Sequence, residues 1–182
     1  MPRQRVLCVI GTRPEAIKLA PVIKALQRSG DLEPVVAVTA QHRQMLDQAL
    51  EAFGIVPDFD LDVMVQGQSL EYLTSKVLET FTPVVEQVKP DAVVVQGDTT
   101  SSFVCALGAF YKQIPVGHVE AGLRTGNIYS PFPEQVNRSI IGKVAALHFA
   151  PTQRSADNLL RNKSVHVTGN TVVDALQFIP CT

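Results

Sequence analysis

Short apolar runs alternate with stretches of helical periodicity along almost the whole chain. The runs Val6–Ile10, Val35–Val38, Ala92–Val95 and Val116–Val119 have the length and continuity of strands that are buried on both faces. Each run is followed by a segment whose apolar residues recur at helical spacing, as they do over 17–26. Because alternating strands and helices build βαβ units, the sequence predicts an α/β domain with a mostly parallel sheet and helices on both faces.

The same patterns predict the remaining elements. They are helices over 43–53, 69–88, 100–111, 133–144, 152–160 and 170–178, an extended segment over 59–63, and strands over 147–150 and 165–167. Pro83 falls inside one of these helices, where proline removes a hydrogen bond and crowds the preceding turn, so we expect a kink or an interruption there. The segment 122–133 contains glycines and prolines and is predicted to be an irregular loop.

Composition restricts the class of protein. The 182 residues are 46% hydrophobic and 18% charged, which is typical of a globular domain with a real core. The net charge of −1 creates no field that would attract nucleic acid or an anionic membrane, and no apolar stretch approaches the roughly 18 residues of a membrane span. We therefore expect a cytoplasmic protein without a nucleic-acid or membrane partner.

The cysteines are scattered and show no C-x-x-C spacing. Cys8 lies in a predicted strand and Cys105 in a predicted helix, and we interpret both as small buried hydrophobes in a reducing compartment. Cys181 is expected to be exposed near the end of the chain.

Polar side chains collect where predicted strands end. The clusters are GTRPE at 11–15, QGDT at 96–99 and HVEAG at 118–122. In an open parallel sheet, ligands bind in the crevice beyond the carboxyl ends of the strands. We therefore expect these clusters to converge on one edge of the sheet, and this convergence predicts an enzyme.

Each cluster also has a purely structural interpretation. Arg13 and the N–H groups of the following helix could bind phosphate or carboxylate, or Arg13 could be solvated while Glu15 complements the helix dipole. Asp98 could bind a ligand or cap the helix that follows it. Glu120 could act on a ligand or simply pair with Arg124.

The segment 131–138 leaves a similar choice. Glu134 and Arg138 stand four residues apart on a predicted helix, so they could form an ordinary helical ion pair or belong to the site. His118 is expected to be a packed or hydrogen-bonded residue rather than a catalyst.

Several common kinds of site are excluded. The chain contains neither G-x-G-x-x-G nor G-x-x-x-x-G-K-[ST], which argues against a dinucleotide oxidoreductase and a P-loop nucleotidase. There is no G-x-S-x-G elbow, and the histidines and cysteines do not have the spacing of a zinc site. No metal and no cofactor are predicted.

Taken together, the motifs resemble one family, the non-hydrolysing UDP-N-acetylglucosamine 2-epimerases. The matching segments are GTRPEAIKLAPVI at 11–23, TAQHRQML at 39–46, QGDTTS at 96–101, HVEAGLRT at 118–125, PFPEQVNR at 131–138 and VTGNTVVDAL at 167–176. The resemblance implies a Rossmann-like domain, similar to the N-terminal half of a glycosyltransferase B-type fold. Residues 1–182 would form this single domain, and the family's C-terminal UDP-binding domain has no counterpart in the sequence.

The resemblance also implies an activity and a partner set. The family interconverts UDP-N-acetylglucosamine and UDP-N-acetylmannosamine by elimination and re-addition of UDP, for bacterial polysaccharide biosynthesis, and its members are commonly homodimers without a cofactor. By itself the chain is expected to be inactive. The alternatives are a hydrolysing UDP-N-acetylglucosamine 2-epimerase, a non-catalytic dimerisation or binding domain, and half of a glycosyltransferase.

The resemblance assigns site residues by position. The catalytic carboxylates would be Asp98, Glu120 and Glu134, with their individual roles left open, and the substrate-binding residues would be Arg13, Lys18, Arg138 and Asn170. Gln41, His42 and Gln44 match a site at which some members bind a second UDP-N-acetylglucosamine as an activator. Gly67 stands where the family often has an arginine of that site.

Overall fold

The structure is a computed structural model that describes residues 2–39, 43–65, 67–159 and 164–178. Its strands are β1 (Gln4–Ile10), β2 (Leu32–Val38), β3 (Phe59–Asp60), β4 (Ala92–Gln96), β5 (Val116–Val119), β6 (Leu147–Ala150) and β7 (Ser164–Val167). Its helices are α1 (Arg13–Arg28), α2 (Arg43–Ala52), α3 (Leu70–Val88), α4 (Thr100–Tyr111), α5 (Glu134–Val144), α6 (Gln153–Asp157) and α7 (Val172–Ala175), followed by a 3₁₀ turn (Leu176–Phe178).

All of these strands pair in parallel in one sheet of order β3-β2-β1-β4-β5-β6-β7. The order reverses at β1, since β2 and β3 lie on one side of it and β4 to β7 on the other. In such sheets the loops after the two central strands depart to opposite sides and leave a crevice at the carboxyl edge. The predicted parallel α/β architecture is confirmed.

Side chains of β1 alternate between two hydrophobic layers. Val6, Cys8 and Ile10 pack with α1 and α2 on one face, and Leu7 and Val9 pack with α3 and α4 on the other. All of these side chains are buried, so both faces of β1 are covered. This double burial explains why the strand appears in the sequence as a continuous apolar run.

The α3 helix runs through Pro83 from Leu70 to Val88, so Pro83 does not interrupt it, and of the two expected outcomes only a kink stays a prediction. Proline removes only one backbone hydrogen bond from the helix. Phe81 and Val84, on either side of it, are buried in the core, and this packing holds the helix together across the missing bond.

Two strands are longer than their apolar runs. β1 begins at Gln4 and β2 at Leu32, because Gln4 and Arg5 pair with Leu32 and Glu33 and so extend the ladder beyond the apolar runs. The extended segment predicted over 59–63 contributes only the two residues of β3, which pair with Ala37 and Val38 at the edge of the sheet.

Cys8 and Cys105 are buried free thiols, as predicted. Burial raises the pKa of Cys8 to about 12 and also raises that of Cys105. Cys181 lies outside the described residues. Within the described part of the chain, no helix combines the length and the apolar character that crossing a bilayer requires.

Candidate active site

Three loops meet at the carboxyl edge of the central strands. They follow β1, β4 and β5, the strands that the sequence motifs mark. The register of β4 and β5 sets Gln96 opposite Val119, so that Asp98 and Glu120 emerge from the same level of two neighbouring strands. The predicted convergence of the clusters therefore follows from the pairing of the strands.

Glu120 has a backbone φ of 62°, in the left-handed region that residues other than glycine seldom adopt. Strained backbone of this kind persists where the surrounding structure holds it, and it is common at functional sites. The carboxylate accepts hydrogen bonds from Lys18 Nζ at 2.5 Å, from the side-chain amide of Gln96, and from Asn170 Nδ2 at 3.5 Å. Donors on three separate elements thus hold the carboxylate in one position.

Asp98 forms an ion pair with Arg138, whose Nη2 lies 2.8 Å from Asp98 Oδ2. The Asn137 side chain donates to the backbone carbonyl of Asp98 at 3.0 Å, which ties the loop after β4 to α5. The cap of α4 is Thr99, whose Oγ1 accepts from the Ser102 N–H at 3.1 Å. The interpretation of Asp98 as a helix cap was therefore wrong.

The pairing of Glu134 with Arg138 along the helix was also wrong. The Nε of Arg138 donates to the backbone carbonyl of Glu134 at 3.3 Å, while the end of its guanidinium turns to Asp98. Likewise, Arg124 does not serve as the partner of Glu120, because its Nη1 donates to the carbonyl of Leu123 and Lys18 holds Glu120 instead.

The carboxyl groups share one electrostatic environment. Burial raises the pKa of Asp98, the neighbouring Arg138 and Lys18 lower it, and the negative charges of Glu134 and Glu120 raise it. The net shift is upward. A carboxyl group with a raised pKa can hold a proton and release it nearer to neutral pH, as acid–base catalysis requires.

Glu15 is a site residue that the sequence motifs did not single out as such. Its buried carboxyl group accepts hydrogen bonds from the N–H groups of Gly11 (2.5 Å) and Thr12 (2.7 Å) and from the hydroxyls of Thr99 (2.7 Å) and Ser102 (2.9 Å). Burial raises its pKa, and these four hydrogen bonds oppose the shift.

The N–H groups expected to meet an external anion are thus partly occupied by an internal carboxyl group. Gly11 and Thr12 direct their amides at Glu15. Arg13 is exposed on the first turn of α1, so its side chain remains available to a ligand at this loop.

His118 is a packed residue, as predicted. Its ring is buried and Nε2 donates to the carbonyl oxygen of Gly97 at 2.7 Å. Burial lowers its pKa to about 4, so the ring is neutral at physiological pH. The hydrogen bond joins β5 to the glycine before Asp98.

The structure therefore brings most of the predicted site residues together. The group comprises Asp98, Glu120, Glu134, Lys18, Arg138 and Asn170. Gln41 and His42 lie outside the described residues, and Gln44 lies in the first turn of α2. Gln96 belongs to the predicted QGDT cluster but was given no role of its own, because only its position at the end of an apolar strand distinguished it.

Comparison with known proteins identifies the family. A family model described as UDP-N-acetylglucosamine 2-epimerase matches residues 24–180. The chain is 54% identical over 179 residues to the UDP-N-acetylglucosamine 2-epimerase of Salmonella typhimurium and 56% identical over 180 residues to that of Bacillus subtilis. These matches cover 96% and 97% of the chain but 48% and 47% of the two relatives, so the chain spans about half of their length.

Solved structures agree with this result. UDP-GlcNAc 2-epimerase from Neisseria meningitidis bound to UDP-GlcNAc has a TM-score of 0.91 at 52% identity, covering 96% of this chain and 49% of that one. The Methanocaldococcus jannaschii enzyme in complex with UDP-GlcNAc and UDP has a TM-score of 0.88 at 35% identity, covering 96% and 49%. Acinetobacter baumannii MurG, with a TM-score of 0.67 at 19% identity over 93% and 46% of the chains, shares the fold alone.

Proposed function

The chain belongs to the UDP-N-acetylglucosamine 2-epimerase family, and on that premise we propose that it carries the acid–base machinery of a non-hydrolysing isomerase that interconverts UDP-N-acetylglucosamine and UDP-N-acetylmannosamine. The observation that carries the proposal is the convergence of Asp98, Glu120 and Glu134, with Lys18 and Arg138, on one crevice of the sheet. The relatives named above act on or bind this nucleotide sugar.

The reaction explains why several carboxyl groups are needed. The proton on C2 of the sugar is weakly acidic, so direct inversion is hard. Elimination breaks the C2–H and C1–O bonds, UDP leaves with the C1–O electron pair, and a C1–C2 double bond forms. UDP then adds back to C1 while a proton is delivered to the opposite face of C2. One group must accept a proton and another must supply one, on two faces of the ring.

Within this scheme the environments of the carboxyl groups differ. Asp98, with its raised pKa, is suited to proton transfer. Glu120 is held as an acceptor by Lys18, Gln96 and Asn170, which suits it to face the positive charge that develops at C1. Glu134, on the first turn of α5, completes the acidic group.

Arg13 is the basic residue that we propose for the leaving pyrophosphate. Lys18 and Arg138 are each engaged with a carboxylate, whereas Arg13 is exposed on the first turn of α1, the helix that also carries Lys18. A cation at this position would stabilise the charge that builds up on UDP as the C1–O bond breaks.

We further propose that residues 1–182 form one Rossmann-like domain and that a second, UDP-binding domain completes the crevice. Residues 1–182 are then inactive by themselves. The whole enzyme is proposed to be a cytoplasmic homodimer. The second domain is supported by the length of the relatives, which are about twice as long as this chain. A second UDP-N-acetylglucosamine near Gln41, His42 and Gln44 would act as an activator. A sigmoidal dependence of rate on substrate supports such an activator, and a hyperbolic dependence argues against it.

The test uses the complete gene product. We expect it to convert UDP-N-acetylglucosamine to UDP-N-acetylmannosamine with solvent deuterium entering at C2, and Asp98→Asn, Glu120→Gln and Glu134→Gln each to lower turnover at least about 10²-fold. Glu51→Gln, at an exposed position on α2, is the control and should be unchanged.

Near-normal turnover in all three carboxylate variants would reject the assignment of the site. Release of free N-acetylmannosamine with UDP would identify the hydrolysing reaction instead. Absence of any turnover of the nucleotide sugar by the unmodified protein would favour a non-catalytic domain.

A further inference from the structure

Glu15 is nearly inaccessible, with 2% of its surface exposed, and its hydrogen bonds all go to backbone or hydroxyl groups rather than to the candidate catalytic side chains. One carboxyl oxygen, Oε2, accepts from the N–H groups of Gly11 and Thr12 in the loop after β1. The other, Oε1, accepts from the hydroxyls of Thr99 and Ser102 at the start of α4. The side chain therefore connects the loop after β1 with the start of α4, across the crevice between β1 and β4.

Both loops that Glu15 joins carry proposed site residues. Arg13 lies two residues before Glu15 on α1, and Asp98 directly precedes Thr99. A shift of one loop against the other would therefore change the distance between Arg13, proposed to bind the pyrophosphate, and Asp98, proposed to transfer a proton.

A third loop is connected through Ser102. Its hydroxyl lies 2.9 Å both from Glu15 Oε1 and from the backbone carbonyl of Gln96. The side chain of Gln96 in turn donates to Glu120. The Ser102 hydroxyl has one hydrogen and can donate it either to Glu15 or to Gln96. Ser102 therefore sets Glu15 within hydrogen-bond reach of the strand whose last residue, Gln96, holds Glu120.

We propose that Glu15 is a positioning residue that fixes the loops carrying Arg13, Asp98 and Glu120 relative to one another. The inference rests on the proposed epimerase function. Catalysis of this kind is sensitive to geometry, because a misplacement of about 1 Å can reduce the rate about 10²-fold.

The first test compares Glu15→Ala with Glu15→Gln in the complete gene product. A glutamine can direct its oxygen at Gly11 and Thr12 and its NH₂ at Thr99 and Ser102, so it keeps the connection without the charge. We expect Glu15→Ala to lower kcat about 100-fold with KM changed less than about threefold, and Glu15→Gln to recover kcat to within about tenfold of the unmodified protein.

The control for general loss of stability is Val77→Ala. Val77 is fully buried in α3, a helix that carries none of the proposed site residues. If Glu15→Ala and Val77→Ala have the same kcat per folded molecule, Glu15 is only structural and the inference is overturned. If Glu15→Gln is as impaired as Glu15→Ala, the charge rather than the geometry matters, and the inference is equally overturned.

Amide hydrogen exchange tests the connection without reference to activity, so it separates this inference from the proposed reaction. In Glu15→Ala we expect faster exchange in 11–18 and in 97–103 together, and faster exchange in 11–18 alone would contradict the inference. If Glu15→Ala does not fold, Ser102→Ala removes one hydroxyl contact and keeps the cap on α4. Exchange should then rise in both segments, and no change in 11–18 would overturn the inference.

Discussion

Gly122, two residues after Glu120, has a backbone that leaves no room for a side chain. A Cβ at this position would lie 2.0 Å from the backbone oxygen of Ser155, 2.7 Å from its carbonyl carbon and 3.2 Å from Cγ of Leu159. The φ of Gly122 is also +90°, a conformation that L-residues disfavour. Replacement by alanine therefore combines a backbone penalty with a clash against the α6 segment.

The two costs can be estimated separately. An alanine held at positive φ loses about 1–2 kcal/mol. Relief of the contact requires movement of the backbone at Ser155 rather than rotation of a flexible side chain, and overpacking of this kind costs about 1–3 kcal/mol or more. We expect Gly122→Ala to lower the free energy of unfolding by roughly 2–5 kcal/mol, a large part of the typical 5–15 kcal/mol for a domain.

The matched control is Gly126→Ala. Gly126 has a similar φ of +81°, but beyond its two neighbours in the chain no described atom lies within 4 Å of its Cβ position, so only the backbone penalty applies. Urea unfolding of both variants measures the difference, which isolates the contact with Ser155. Equal losses of unfolding free energy in the two variants would refute the close packing of α6 against this loop.

Three other variants test the charges of the site. Burial lowers the pKa of His118 from 6.5 to about 4, so the free energy of unfolding falls by about 3 kcal/mol as the pH falls from 6.5 toward 4. His118→Gln should remove this part of the pH dependence of urea unfolding. An unchanged dependence of the unfolding free energy on pH would contradict this prediction. Lys18→Met should lower kcat/KM at least about 10²-fold in initial-rate assays, whereas Lys24→Met on the same helix should have no effect. Arg138→Met should move the acidic limb of the kcat profile to higher pH, because this guanidinium opposes the burial that raises the pKa of Asp98; an unmoved limb would mean that Asp98 does not control that limb.

The fold could be predicted from the sequence because its central strands are buried on both faces. The apolar run of β1 follows directly from that burial. In a parallel sheet, side chains after neighbouring strands must meet, so the sequence also located the site in general terms.

The contacts within the site could not be predicted, because they depend on tertiary geometry. Local rules offered a helical ion pair of Glu134 with Arg138 and a helix cap at Asp98 as alternatives to a site role, whereas the fold brings Arg138 to Asp98. Glu15 has the sequence position of an ordinary N-terminal helix acid, and only the adjacency of β1 and β4 gives it hydroxyl partners from α4. Pro83 is tolerated for a similar reason, since the surrounding core is not visible in its local sequence.

The pairing of β1 with β4 has a consequence for how the chain folds during translation. Val6 pairs with Ala92, so one edge of the first strand has no partner until more than eighty further residues have left the ribosome. At about 5–20 residues per second this interval lasts roughly 4–17 s. Throughout it, that edge of β1 carries unpaired amides and carbonyls and is open to pairing with other chains.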